Sequence, residues 1–236
     1  MVEVMQAPLG EVLLATTTQF TAQCIEVPRP ELVSSLPDPP PFGALVRIVV
    51  SPITGGRGAG LGELDPFESD PAPVMDDAPV ALFGLVFHAE TGAIEPGRPL
   101  SAMGLTEDEL LREQPQIYEL LATRFSAALI GWTDTGGRFR ASLPPRPPRP
   151  HARVLSATSA DEKFVGADLG WLRGLVRAER VPPALADELL VAALRRLWSA
   201  SGEGEAFALR VGKELSRLLA ADYERLRTIV ERLVGE

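Results

Sequence analysis

Lysine is nearly missing from this chain. Two residues, Lys163 and Lys213, stand against 21 arginines, a bias read here as genomic composition rather than function. Cysteine is rarer still. The lone Cys24 excludes an internal disulfide and a cysteine zinc cluster, and it fits a reducing compartment. Only two histidines occur, His88 and His151, and neither belongs to a His-x-x-x-His or His-Glu arrangement. Metal binding therefore has no support, and each histidine reads as a structural or surface residue. No apolar run approaches the ~18 residues that a membrane span needs. The N-terminus shows no cationic start followed by an apolar core, so no signal peptide is expected. A soluble cytoplasmic protein without membrane contact is the expectation.

Catalytic signatures are missing as well. No Gly-x-Ser-x-Gly occurs, so a serine nucleophile elbow is excluded. The glycines from Gly55 to Gly62 invite comparison with a phosphate loop. No Lys-Ser or Lys-Thr follows them to reach phosphate and magnesium. Asp65-Pro66 stands where a dinucleotide-binding helix would start. Cys24 lies in an apolar strand pattern and reads as core rather than nucleophile. The acids Asp76, Asp77, Glu107, Asp108 and Glu109 fall in a loop and in a helix first turn, where solvation and dipole pairing account for them. The expectation is a protein that is not an enzyme, with no cofactor, no ATP hydrolysis and no tight ATP binding.

What the chain does have is a sharp internal division. Residues 144–150 read Pro-Pro-Arg-Pro-Pro-Arg-Pro. Proline fixes φ, removes a donor and disfavours helix in the residue before it, so this stretch should be an extended, semi-rigid spacer. Charge divides nearby. Residues 1–120 hold 18 acids and 5 bases, net −13, while residues 121–236 hold 14 acids and 18 bases, net +4. The acidic half disfavours a DNA-coating role.

Before the prolines the hydrophobic period is about two. Strands are expected over Leu9–Ala15, Phe20–Val27, Ala44–Val50, Pro79–Ala89 (buried on both faces), Ala127–Trp132 and Arg138–Leu143, with a turn at Asp134-Thr135-Gly136-Gly137. Residues 51–79 are rich in glycine, proline and acids and should form a mobile loop. Thr106, with Glu109 at capping-box spacing, opens a helical insertion over about 106–125, with a second helix starting at Pro115.

After the prolines the period becomes about 3.6. Ser159 with Glu162 marks a helix start, Pro182-Pro183 another, and Phe207 to Leu233 sustains a long amphipathic pattern containing Tyr223 and Arg225 as helix-packing residues. Gly166, Gly170 and Gly174 recur every four residues, a stripe suited to close backbone packing. The expected fold is α+β: an N-terminal antiparallel β-barrel over residues 1–150, then a helical domain over 151–236, with the change between 143 and 158.

The first half resembles a known module. Gly10-Glu11-Val12 followed by Thr16-Thr17-Thr18-Gln19-Phe20, Pro41-Phe42-Gly43-Ala44-Leu45-Val46, Gly84-Leu85-Val86 and Leu129-Ile130-Gly131 are similar to the strand motifs of the HAS barrel. That barrel opens the HerA-type DNA-translocating ATPases and is shared with ATP synthase subunits. In those proteins a nucleotide-binding motor follows. Here about 80 helical residues follow, with no phosphate loop, so no ATPase residue carries over. The resemblance implies an assembly barrel without its motor, one that contacts a partner protein.

Five arginines, Arg138, Arg140, Arg146, Arg149 and Arg153, cluster around the prolines with no acid between Asp134 and Asp161. They are the candidate interaction residues. In a polyproline helix, with three residues per turn, Arg146 and Arg149 would project from one side. Pairing with the chain's own acids is favoured over waiting for an external anion. The leading functional expectation is a non-enzymatic protein-interaction module of an intracellular complex. Nucleic-acid binding through residues 138–153 ranks second, because only Phe139 supplies an aromatic there. A hydrolytic site in the loop 51–79 ranks third.

Overall fold

The computed structural model describes residues 7–25, 36–50, 79–95, 97 and 100–235. The expected mobile loop, with its glycine cluster and with Asp76 and Asp77, lies outside the described residues apart from Pro79.

Among the described residues, seven strands form one antiparallel sheet: β1 (Gly10–Ala15), β2 (Gln19–Cys24), β3 (Leu45–Val49), β4 (Ala81–Ala93), β5 (Leu121–Thr133), β6 (Phe139–Arg140) and β7 (Arg153–Ser156). β2 pairs with both β1 and β5, so six strands close into a barrel and β6 hangs on the outside of β5. Closure removes the sheet edges that an open sheet leaves unpaired. Period-two alternation sorts the side chains. Val12, Phe20, Ala22, Val46, Ile48, Leu82, Phe125, Leu129 and Val154 fill the interior, where the Phe20 and Phe125 rings meet edge to face at 6.4 Å.

The sheet does not stop at the prolines. β7 pairs with β1 on one side and β3 on the other, and Val154 is fully buried inside the barrel. The division drawn at residue 150 thus falls within the connection between two strands of one sheet, β6 and β7. Pro144 and Pro148 of that connection are buried. The passage from strand to helix comes at Ala157 and Thr158, the far end of the expected window.

The helices are α1 (Glu107–Glu113), α2 (Ser159–Ala167), α3 (Leu172–Val176), α4 (Pro183–Ser201), α5 (Glu205–Leu218) and α6 (Tyr223–Val234). α1 opens on the expected capping box of Thr106 and Glu109. A single 3₁₀ segment, Pro115–Leu120, follows it, and β5 starts at Leu121. The helical insertion therefore ends at residue 120 rather than 125. Phe125 obeys strand alternation with Ala127, and pairing with β4 and β2 overrides its helical spacing from Leu121.

The capping box of α2 is Thr158 with Asp161, one residue before the expected pair: Thr158 N–H donates to Asp161 Oδ2 at 2.8 Å, and Asp161 N–H to Thr158 Oγ1 at 3.2 Å. Asp161 also meets Arg47 of β3 at 3.3 Å, so the cap ties the first helix to the barrel wall. The three glycines do not form one stripe. Gly166 lies in α2, Gly170 in a 3₁₀ turn and Gly174 in α3. Gly174 instead leaves room for the Arg180 side chain, which donates from Nη1 to the Leu129 carbonyl at 2.8 Å, beside an irregularity in the β4–β5 register. The long amphipathic pattern breaks at Leu219–Asp222, where Asp222 accepts from Arg225 N–H and caps α6.

Barrel and helices share a second core. Leu45, Phe83, Leu85, Phe87, Ala128 and Ile130 point out of the barrel into Val165, Trp171, Leu172, Leu189, Leu194, Phe207 and Val211 of the helical part. This explains why Ala81 to Phe87 is buried on both faces. Two glycines make the junction fit. Gly43, at φ +76°, has no room for a Cβ, which would lie 2.6 Å from Ala192 of α4. Gly131 leaves space for the Phe139 ring, which packs at 5.8 Å against both Phe83 and Phe164.

Candidate functional site

The proline segment grows out of a tight turn. Asp134 is 2% exposed. Its Oδ1 accepts from Arg138 N–H at 2.9 Å, its Oδ2 from Arg140 Nε at 3.1 Å, and both guanidinium groups lie within 3.4 Å of Oδ2. The Arg138 backbone N–H, reinforced by the two arginines, holds the Asp134 carboxyl below its ordinary pKa, outweighing the opposing effect of burial. Two of the five candidate arginines are thus occupied in fixing a turn.

The other three differ. Arg146, Arg149 and Arg153 are exposed, and none makes an ion pair with a described residue. The favoured internal lock is therefore not formed among the described residues. The segment is also not a straight polyproline rod. Prolines four apart, Pro144 and Pro148, turn inward, and Ala152 N–H donates to the Arg149 carbonyl to close a turn through His151, at φ +63°. Arg153 stands opposite Glu11 in the β1–β7 ladder, and Glu11 takes the His151 ring at 3.3 Å.

Both histidines lie at the surface, His88 with Glu90 at 3.7 Å. Cys24 is buried in the barrel interior, and burial, with help from Asp38, pushes its thiol up to about 11. It stays protonated at neutral pH and cannot serve as a ready nucleophile. Arg225 packs as expected, holding Asp187 of α4 with a shortest contact of 2.7 Å and donating to the Val176 carbonyl at 3.0 Å. Tyr223 does not: it is 70% exposed at the start of α6. No group of three or more His, Cys, Asp or Glu side chains converges as metal ligands among the described residues, and no described helix is long and apolar enough to cross a membrane.

A cavity of about 310 Å³ opens at the seam between barrel and helices, lined by Pro39–Pro41, β3, the end of β7, α2 and α4. Its polar groups are Asp38, Ser156, Glu162 and Arg196. Burial raises the Glu162 pKa, against the pull of Arg196. No hydrogen bond couples Ser156 to a described acid or histidine, so the seam presents no assembled nucleophile–base pair.

Neither a scan of protein-family models nor a search of curated proteins gives any match to this chain.

One further surface escaped sequence reasoning. Beyond Glu90 and Arg124, where β2 still pairs with β5, β4 and β5 continue as a two-stranded arm, and the excursion 94–120 joins them. It carries nine large apolar side chains from Ile94 to Leu120. None is buried, and none packs against either core. Locally, Leu110 and Leu111 look like core leucines. Only the tertiary arrangement shows that they meet neither core.

Proposed function

We propose that this chain carries a HAS-type barrel with helices appended, serving as a non-enzymatic protein-interaction or assembly module of a cytoplasmic complex. The six-stranded antiparallel closure supports the barrel part of this reading. The excursion between β4 and β5 carries the functional part. Apolar surface kept outside both cores is surface that a partner protein can bury. The test is affinity capture with the intact chain from its native extract at near-physiological salt. A discrete protein partner should be retained in stoichiometric amount, and its complete absence would end this reading.

Nucleic-acid binding through residues 138–153 is the second reading, favoured by the exposed Arg146, Arg149 and Arg153, which make no ion pair among the described residues. Against it stand the capture of Arg138 and Arg140 by Asp134 and the net −13 of residues 1–120. A gel shift at near-physiological salt in which the intact chain binds DNA, and the double variant Arg146→Ala with Arg149→Ala does not, would put this reading first.

A further inference from the structure

Among the described residues, the arm has an open edge. Ile94 N–H donates to the Leu120 carbonyl at 2.9 Å, and antiparallel ladders alternate hydrogen-bonded with non-bonded pairs. Gly92–Ala122, Glu90–Arg124 and His88–Ser126 are then the bonded pairs, and the backbone groups of Ala89, Thr91 and Ala93 face away from β5. On that side β3 pairs no further than Leu85, and Gly43 N–H reaches only the Val86 carbonyl. No described strand meets the outward groups of Ala89, Thr91 and Ala93. All three side chains are small, so an incoming backbone meets no bulk. Thr91 is held sideways by its hydroxyl contact with Thr123 at 3.0 Å.

The edge leads straight into the unburied apolar excursion, where Leu100 is 58% and Met103 48% exposed. Charge then selects the occupant. Residues 94–120 contain six acids and two arginines, and Glu90 stands on the edge strand itself, beside His88 at 3.7 Å and opposite Arg124, so the acidic excess comes from the excursion. DNA and anionic lipid surfaces are repelled. The chain's own residues 51–78 hold six acids and one arginine and are mismatched too. A second copy related by a two-fold axis would set this acidic surface against itself.

Resting on the reading of the chain as an interaction module, we propose that the β4 edge at Ala89–Ala93 accepts an extended segment of a partner protein as an added strand. The segment would alternate basic with apolar residues: the basic ones face Glu90, and the apolar ones lie on the small-residue face of the arm, next to the excursion.

Nine-residue synthetic peptides serve as probes: one alternating lysine with valine, one with glutamate in place of lysine, and one lysine peptide N-methylated along one edge. Each is titrated into the intact chain by calorimetry and by amide chemical shifts. The lysine peptide should bind at micromolar concentration and shift the Ala89, Thr91 and Ala93 amides. The glutamate and N-methyl peptides should bind at least about tenfold more weakly. Thr91→Pro removes one outward N–H and should weaken the lysine peptide similarly. The double variant Leu100→Glu with Met103→Glu alters only exposed side chains, so it reports even if Thr91→Pro fails to fold. It should weaken binding as well. The proposal falls if the lysine peptide does not bind below millimolar, or binds no better than either control. Native capture separates the two failures. If the intact chain and the Thr91→Pro variant retain the same partner equally, the edge proposal is wrong while the interaction reading stands; if neither retains a partner, the interaction reading fails.

Discussion

Cutting the chain after Ala157 tests whether the barrel stands alone. The cut keeps all seven strands and removes α2 to α6. It strips the cover from Leu45, Phe83, Leu85, Phe87 and Ile130, which point out of the barrel into the helical part. Each such side chain contributes about 2 kcal/mol by leaving water, so their exposure costs roughly 10 kcal/mol. A whole domain has only about 5–15 kcal/mol of net stability. The Arg47–Asp161 pair between β3 and α2 is lost as well. Residues 1–157 should therefore lack a cooperative urea transition and bind a hydrophobic dye, although every strand pairing is still encoded. Circular dichroism and tryptophan fluorescence during urea titration read this directly. A fragment unfolding cooperatively within about 1 M urea of the intact chain would refute the shared core, because a loss that large moves the midpoint much further.

Other outcomes follow from single features. Gly131→Ala drives a methyl into the Phe139 ring and toward the Arg140 carbonyl, and should cost about 1–3 kcal/mol in chemical denaturation. Asp134 has a lowered folded pKa, so its stabilisation is complete above its unfolded pKa of about 4 and fades as pH falls through the folded value; Asp134→Asn should flatten that acid limb of a melting-temperature profile. Replacing residues 95–119 by a short glycine–serine link should change the melting temperature by less than about 3 °C, because the excised residues enter neither core.

The strands before the prolines were legible because alternation is a local property: Leu45, Val46, Arg47 and Ile48 alternate visibly between the two sides of the wall. β7 was not. Its four residues carry two large apolar side chains, Val154 and Leu155, and its place comes from pairing along both edges with strands more than 100 residues away. Capping sequences gave the position of α2 to within one residue. They could not choose Asp161 over Glu162, because the choice rests on the reach of Arg47 across the barrel wall. The arginine cluster was plain in the sequence. Which arginines a buried Asp134 consumes depends on the turn that brings Asp134, Arg138 and Arg140 together. The arm was invisible for a related reason: burial is decided by what packs on a residue, and nothing local marks the leucines of the excursion as uncovered.

The most direct test of the account places a photo-reactive amino acid at Leu100 in one intact chain and at Arg146 in another, with irradiation in the native cell. The account predicts one discrete protein adduct from position 100, lost when Thr91→Pro is added, and no nucleic-acid adduct from position 146. A nucleic-acid adduct from position 146, with none from position 100, would contradict it.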